Sequence, residues 1–212
     1  MDTSPLNEAL ASSSYDKIAD ICDNLMLQAI SPFLSVDLRK KPNGAAEGIE
    51  FHDEWPYAIH LLGHIYSNDI NSARFLWKKI PAAIKEARPE VVAVWRIGQK
   101  LWTRDYVGVH EAIRGFSWSP EVQPFVASFA ELYKKRMFEL LLSAYSTIST
   151  QDSARFLGMN ENDATNYVLQ QGWALDSASQ MLTVKKQAVI TEQKLDPSKL
   201  QRLTEYVFHL EH

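Results

Sequence analysis

The chain has one cysteine, Cys22, in 212 residues, which excludes an internal disulfide. Glycine is scarce, eight in all, and no two stand as G-x-G, so no glycine-rich phosphate loop is available. No apolar run approaches the ~20 residues of a membrane-spanning helix. The start, Met1 to Pro5, has neither the basic nor the apolar stretch of a secretory signal. A lone thiol and no leader point to a reducing compartment, cytosol or nucleus. The formal net charge of −4 offers no global attraction to nucleic acid or anionic membranes. From Ser146 to Val184 the only cation is Arg155, against Asp152, Glu161, Asp163 and Asp176.

That cation-poor stretch also carries the strongest local signals. Thr147 to Gly158 reads as a short strand and then a helix, with Thr150 as N-cap and Gly158 ending it in the left-handed conformation. Asn160 caps a second helix that runs through Ala164, Tyr167 and Val168 to Gly172, with Asp163 near the position of a reciprocal capping carboxylate. Trp173–Leu175 and Met181–Val184 alternate around a polar turn, as a β-hairpin does. Two helices, a short turn and a hairpin describe a winged helix over 147–185. A DNA-reading helix needs Lys or Arg for phosphates and base edges. The second helix has Asn162, Asn166 and Gln170 but no cation, so protein assembly is favoured over the alternative, a winged-helix nucleic-acid binder.

Before Thr147 apolar residues recur at helical spacing. Helices are expected over Leu6–Leu10, Tyr15–Leu27, from Trp55-Pro56 to Tyr66, and over Asn71–Ile80, Pro81–Ala87, Pro89–Trp102, Tyr106–Arg114 and Pro120–Tyr145. A faint repeat aligns Leu62-Gly63, Tyr66, Asp69, Ala73 and Trp77 with Ile97-Gly98, Leu101, Asp105, Val109 and Ile113. The offset of roughly 35 residues is close to the period of tetratricopeptide (TPR) helix pairs. The expected fold is therefore mainly α: a TPR-like array over 1–146, the winged helix, and a helical tail over 186–212. Of six tryptophans, Trp55, Trp77, Trp95, Trp102 and Trp118 are read chiefly as packing groups, and Trp173 begins the wing. Ile30 to Ala46, with two prolines and Asn43-Gly44, is read as a mobile loop, and its Arg39-Lys40-Lys41 as a solvated charge run.

Chemistry-bearing constellations are few. His60 and His64 stand one helical turn apart, a metal-ligand spacing, with His52 and Asp53 nearby in sequence. Leu61 occupies the position where a hydrolytic zinc helix carries Glu, so the two are read as packed histidines and a zinc enzyme as the weak enzyme-class alternative. Cys22 lies on an apolar helix face and reads as a packed thiol. No catalytic, cofactor-binding or metal residues are assigned, and no cofactor. After Ser198, Leu200, Leu203, Val207 and Leu210 follow a coiled-coil-like 3-4-3 spacing, broadened by Tyr206 and Phe208. Burying the four seam side chains is worth ~6–10 kcal/mol before ordering costs. That makes Leu200, Leu203, Tyr206, Val207 and Leu210 a candidate bundle interface, and Trp173, Leu175, Met181 and Val184 a candidate wing interface.

Ile49 to His60, Tyr145 to Met159, Tyr167-Val168, Gly172-Trp173 and Lys199 to His212 together closely resemble the PCI-domain family of COP9 signalosome eighth subunits, in its plant form. The wider family includes a proteasome lid subunit and subunit k of a translation initiation factor. The resemblance fails at about Ile30 to Ala46, where some 17 extra residues read as a splice-variant insertion. It implies helical repeats followed by a winged helix, and a non-catalytic scaffold subunit in the nucleus and cytoplasm. The implied partners are the other PCI-domain subunits and the metalloprotease subunit of a complex that removes NEDD8, called RUB in plants, from cullins. Small-molecule substrates, direct nucleic-acid binding and membranes are not expected. The implied biology is control of cullin-RING ubiquitin ligases, with roles in plant light signalling and development.

Overall fold

A computed structural model describes residues 3–34 and 55–185, and Gln201, Arg202, Thr204 and Tyr206 to Phe208 of the tail. Among the described residues, ten α-helices and three short strands lie between Ser4 and Thr183, and those of the tail are helical as well. The helices are α1 (Ser4–Ala11), α2 (Ile18–Leu34), α3 (Tyr57–Tyr66), α4 (Ile70–Lys79), α5 (Ala82–Ala87), α6 (Pro89–Trp102), α7 (Tyr106–Arg114) and α8 (Gln123–Ala144). Then come β1 (Thr147–Ser149), α9 (Thr150–Leu157), α10 (Glu161–Gln170), β2 (Ala174–Asp176) and β3 (Met181–Thr183).

The helices expected before Thr147 are all present, with small shifts at their ends. Pro56 stands at the N-cap of α3, just outside the first turn where it was placed. Pro120 lies in a turn ahead of α8. A larger correction concerns the segment read as a loop from Ile30, because α2 carries its backbone on to Leu34, through Pro32. Met26, Ile30 and Phe33 continue the apolar spacing of that helix, a signal that the proline outweighed in the sequence reading. The remainder of that segment, including Arg39 to Lys41, lies outside the described residues.

One turn geometry recurs along the chain. At Ser13, Asn68 and Arg104 the backbone enters the left-handed region, with φ of 54°, 65° and 57°. In each case the next amide bonds back five residues: Ser14 to Ala9, Asp69 to His64 and Asp105 to Lys100. Gly158 (φ 67°) and Gly172 (φ 87°) repeat it, with Met159 bonding to Ala154 and Trp173 to Val168. This is the Schellman closure, which satisfies carbonyls left open at a helix end. Two of these turns, at Asn68 and Arg104, fall at matching places in the spacing noted around Asp69 and Asp105. Asp69 then caps α4 by accepting from the Ser72 amide at 3.0 Å, and Asp105 caps α7 by accepting from Gly108 at 2.9 Å. The two glycines of the repeat lie where helices cross. A Cβ on Gly63 would stand 3.0 Å from the Ala19 nitrogen of α2, and one on Gly98 3.4 Å from Ile65 of α3.

Helix α8, about 33 Å long at 1.5 Å per residue, runs through both halves of the core. Near its start Phe125 stacks on Tyr15 at 4.5 Å. Near its end Phe138 stacks on Trp173 at 5.4 Å and meets Tyr167 edge-on. Phe125, Phe129, Tyr133 and Leu141 along it are buried.

The strands form one antiparallel sheet of order β1-β3-β2. Ile148 and Leu175 both face Leu182 across it. Side chains on a strand alternate between faces, so Ile148, Leu182, Val184, Trp173 and Leu175 share the inner face, while Thr147, Ser149, Met181, Thr183, Ala174 and Asp176 share the outer one. The N-cap of α9 is Ser149, one residue before the expected Thr150. Its hydroxyl accepts from the Asp152 amide at 3.0 Å. Thr150 is buried as the first helical residue. Asn160 caps α10 as expected, accepting from the Asp163 amide at 2.8 Å and donating to the Asp163 carboxylate at 2.7 Å.

Candidate protein-interaction site

The α9–α10–hairpin unit is joined to the helices before it through the exposed end of α9. The last carbonyls of a helix have no intrahelical donors. Here α7 supplies them. His110 Nε2–H donates to the Phe156 carbonyl at 2.9 Å, and one turn on, Arg114 donates to the Gly158 carbonyl at 3.0 Å. The imidazole lies against Gly158 so closely that a Cβ there would overlap it. Burial holds the His110 pKa below the usual histidine range, opposed by the Phe156 carbonyl and aided by Arg114 and Lys134. Arg136 of α8 closes the end of α3 in the same manner, donating to Tyr66 at 2.9 Å. Tyr133, also on α8, donates its hydroxyl to the Tyr106 carbonyl at 3.1 Å. None of these residues stood out in the sequence. Their signal, a His and an Arg at i and i+4, is common on helix surfaces.

The sheet held by this joint has β2 at one edge. Leu175 continues the inner row but is 37% exposed, because among the described residues no strand lies beyond it. Ala174 and Asp176 are exposed as well. Asp176 organises the turn that follows: it accepts from the Ser179 hydroxyl and the Ala178 amide, and these bonds hold its carboxyl below the ordinary range. The four wing residues divide. Leu175 is at the surface and Met181 is half-buried on the outer face, but Trp173 and Val184 are buried inside the chain. Period-two alternation dictates this, since both fall in the same phase as Leu182. Trp173 anchors the hairpin on Phe138 and is not free to anchor a partner. Of the other tryptophans, Trp55 and Trp95 are buried, Trp77 and Trp118 partly so, and Trp102 is half-exposed beneath the Arg74 guanidinium.

On α10 the absence of cations holds across its whole length, and the neighbouring Lys134 of α8 lies over the Tyr167 ring at 5.9 Å. Of the bundle residues, Tyr206 and Val207 sit on helical backbone and are 64% and 53% exposed. Leu200, Leu203 and Leu210 lie outside the described residues.

The histidine pair lies in the helical half. His60 and His64 are both buried on α3, and the structure brings Asp23 of α2 to them. His60 Nε2 is 2.9 Å from Asp23 Oδ1 and 3.2 Å from His64 Nε2, and His64 Nε2 is 3.5 Å from the same carboxylate oxygen. The Trp55 indole donates to His60 Nδ1 at 3.3 Å. Hydrogen bonding to His60 keeps the Asp23 carboxyl below its usual range. Burial is the main cause holding His60 below its own. Asp23 was not foreseen, being 37 residues away from His60 in sequence; His52 and Asp53 lie outside the described residues. Cys22, next to Asp23, is a packed thiol, pushed up to about 12 by burial and by that carboxylate.

Comparison with known proteins agrees with this architecture. The model of the CSN8/PSMD8/EIF3K family matches residues 52–193. The chain is 66% identical to COP9 signalosome complex subunit 8 of Arabidopsis thaliana over 212 residues, covering all of both proteins. It is 34% identical to the protein of that name from Xenopus laevis over 201 residues, 94% of each. With the one from Danio rerio it shares 37% identity over 164 residues, 73% of this chain and 82% of the other. Helices, hairpin and full-length similarity lead to one assignment: the chain belongs to the CSN8/PSMD8/EIF3K family, as a COP9 signalosome subunit 8 homologue.

Proposed function

We propose that this chain is a non-catalytic scaffold subunit of the COP9 signalosome. The similarity along the whole chain to a protein named COP9 signalosome complex subunit 8 carries this reading. On it, α3 to α8 form a TPR-like array, and β1, α9, α10 and the hairpin form the winged helix of a PCI domain. Neighbouring PCI subunits pair with the open edge at β2, around Leu175, by strand addition, with Met181 on the adjacent central strand. The tail contributes Leu200, Leu203, Tyr206, Val207 and Leu210 to a bundle of helices from several subunits. The assembled complex, through its metalloprotease subunit, removes NEDD8 or RUB from cullins in the nucleus and cytoplasm, and so regulates cullin-RING ligases in light signalling and development.

The test is a pull-down from plant extract, comparing the complete chain with one ending at Pro197. Recovery of a stoichiometric set of PCI and metalloprotease subunits by the complete chain, and their loss on truncation, is the expected outcome. Recovery of nucleic acid alone by both versions would overturn the scaffold reading and restore the nucleic-acid one.

A further inference from the structure

We propose that Asp23, His60 and His64 form a binding site for a zinc-class divalent cation that clamps α2 to α3. The three ligand atoms make a triangle with sides of 2.9, 3.2 and 3.5 Å. Zinc binds nitrogen and oxygen ligands at about 2.0–2.1 Å, so the edges of its coordination tetrahedron are about 3.3 Å. An ion about 2.05 Å from all three atoms would sit about 0.9 Å above their plane, against about 0.7 Å for a regular tetrahedron. The three ligand atoms themselves need little displacement to reach it.

Hydrogen counting shows what an ion would displace. An indole nitrogen only donates, so His60 Nδ1 is the acceptor from Trp55 and the His60 proton lies on Nε2. That single hydrogen faces both Asp23 Oδ1 and His64 Nε2. A second hydrogen on His64 Nε2 would confront it across 3.2 Å. The His64 nitrogen therefore presents a lone pair toward a carboxylate oxygen 3.5 Å away. Two lone-pair atoms, Asp23 Oδ1 and His64 Nε2, thus converge on the single hydrogen of His60 Nε2, and a cation would take that hydrogen's place.

Two imidazoles and one carboxylate select zinc, cobalt, nickel or copper over magnesium or calcium. His60 and His64 are 0% and 4% exposed, whereas the Asp23 side chain is 51% exposed. The fourth coordination position and the route of entry are therefore on the solvent side of Asp23. Leu61 follows the first histidine, where a hydrolytic zinc helix carries Glu, so the role proposed for the ion is to fix helices. Metal on His60 Nε2 moves its proton to Nδ1, and the Trp55 indole N–H must then turn away. Trp55 emission thus reports occupancy.

The experiment titrates Co²⁺, then Zn²⁺, into the metal-free complete chain, following visible d–d absorption, tryptophan emission and the melting temperature. The expected result is a tetrahedral cobalt band saturating at one equivalent, its displacement by zinc, and a raised melting temperature. His64→Gln and Asp23→Asn should each weaken binding more than tenfold, and His110→Gln should not. Asp23 is half-exposed, so Asp23→Asn tests the site even where His64→Gln does not fold. No cobalt band and no thermal shift in the unaltered chain would overturn the proposal. So would a band that survives both substitutions, which would place the metal on other histidines.

Discussion

Gly158 is where the joint between α7 and α9 is most sensitive, and its replacement by alanine can be worked through in parts. At φ 67° a non-glycine residue pays a left-handed backbone penalty of about 1–2 kcal/mol. The new Cβ also overlaps the His110 ring. Displacing that ring breaks its hydrogen bond to the Phe156 carbonyl, a loss of about 1 kcal/mol. Together the two effects predict about 2–3 kcal/mol of destabilisation, which for a chain of this size lowers the melting temperature by roughly 5–12 °C. Circular dichroism melts of the complete chain read this directly. The two contributions separate in a double-mutant cycle. In His110→Ala with Gly158→Ala the overlap is gone and only the backbone penalty remains. The double variant should then be more stable than the sum of the singles by about 1 kcal/mol. Additivity within about 0.5 kcal/mol, or a single-variant shift below about 2 °C, would refute the packing of α7 against the end of α9.

Arg104→Gly relieves a left-handed arginine and should raise stability by up to about 1 kcal/mol, whereas Asn68→Gly should gain less, because asparagine tolerates that conformation. His110 is buried and its folded pKa is lowered, so the unfolded chain binds the extra proton more readily. Its contribution is complete above about pH 6.5 and declines as the pH falls from there through the folded value. Melts from pH 7.5 to 5 should fall more steeply for the unaltered chain than for His110→Gln, and parallel curves would count against the burial argument. Trp173→Ala should cost about 3–5 kcal/mol through the cavity left beside Phe138, read in urea titrations. Leu175→Ser should leave the melt nearly unchanged yet reduce co-purification of other complex subunits; full recovery of partners would remove Leu175 from the proposed edge contact.

Much of the fold could be read from the sequence because its signals are local. The ends of α6 and α7 were located to the residue, since Pro89, Asp105 and the positions after Trp102 and Arg114 are chemically explicit. The cap of α9 was missed by one residue because Ser149 and Thr150 are both good caps, and only the strand geometry of Ser149 decides between them. The repeat was visible as side-chain spacing. The Schellman turns at Asn68 and Arg104, which fall at matching places in that spacing, were hidden because neither residue is the glycine that usually marks that backbone.

What the sequence concealed was where one element satisfies another. His110 and Arg114 look like ordinary surface residues of α7 until α9 ends against them, and Asp23 looks like part of a polar stripe until α3 turns two imidazoles toward it. In each case the partner atom is a carbonyl or a lone pair that any sequence supplies. The wing residues illustrate the same limit from the other side. Trp173, Leu175 and Val184 are all hydrophobic and share one face of the sheet, yet only Leu175 is exposed, because β2 has no neighbour beyond it among the described residues. A hydrophobic residue on the core side of an edge strand, left uncovered by the described residues, marks the place where a strand from another chain would complete the sheet. For that reason Leu175, and not the larger Trp173, is the wing residue on which the proposed assembly turns.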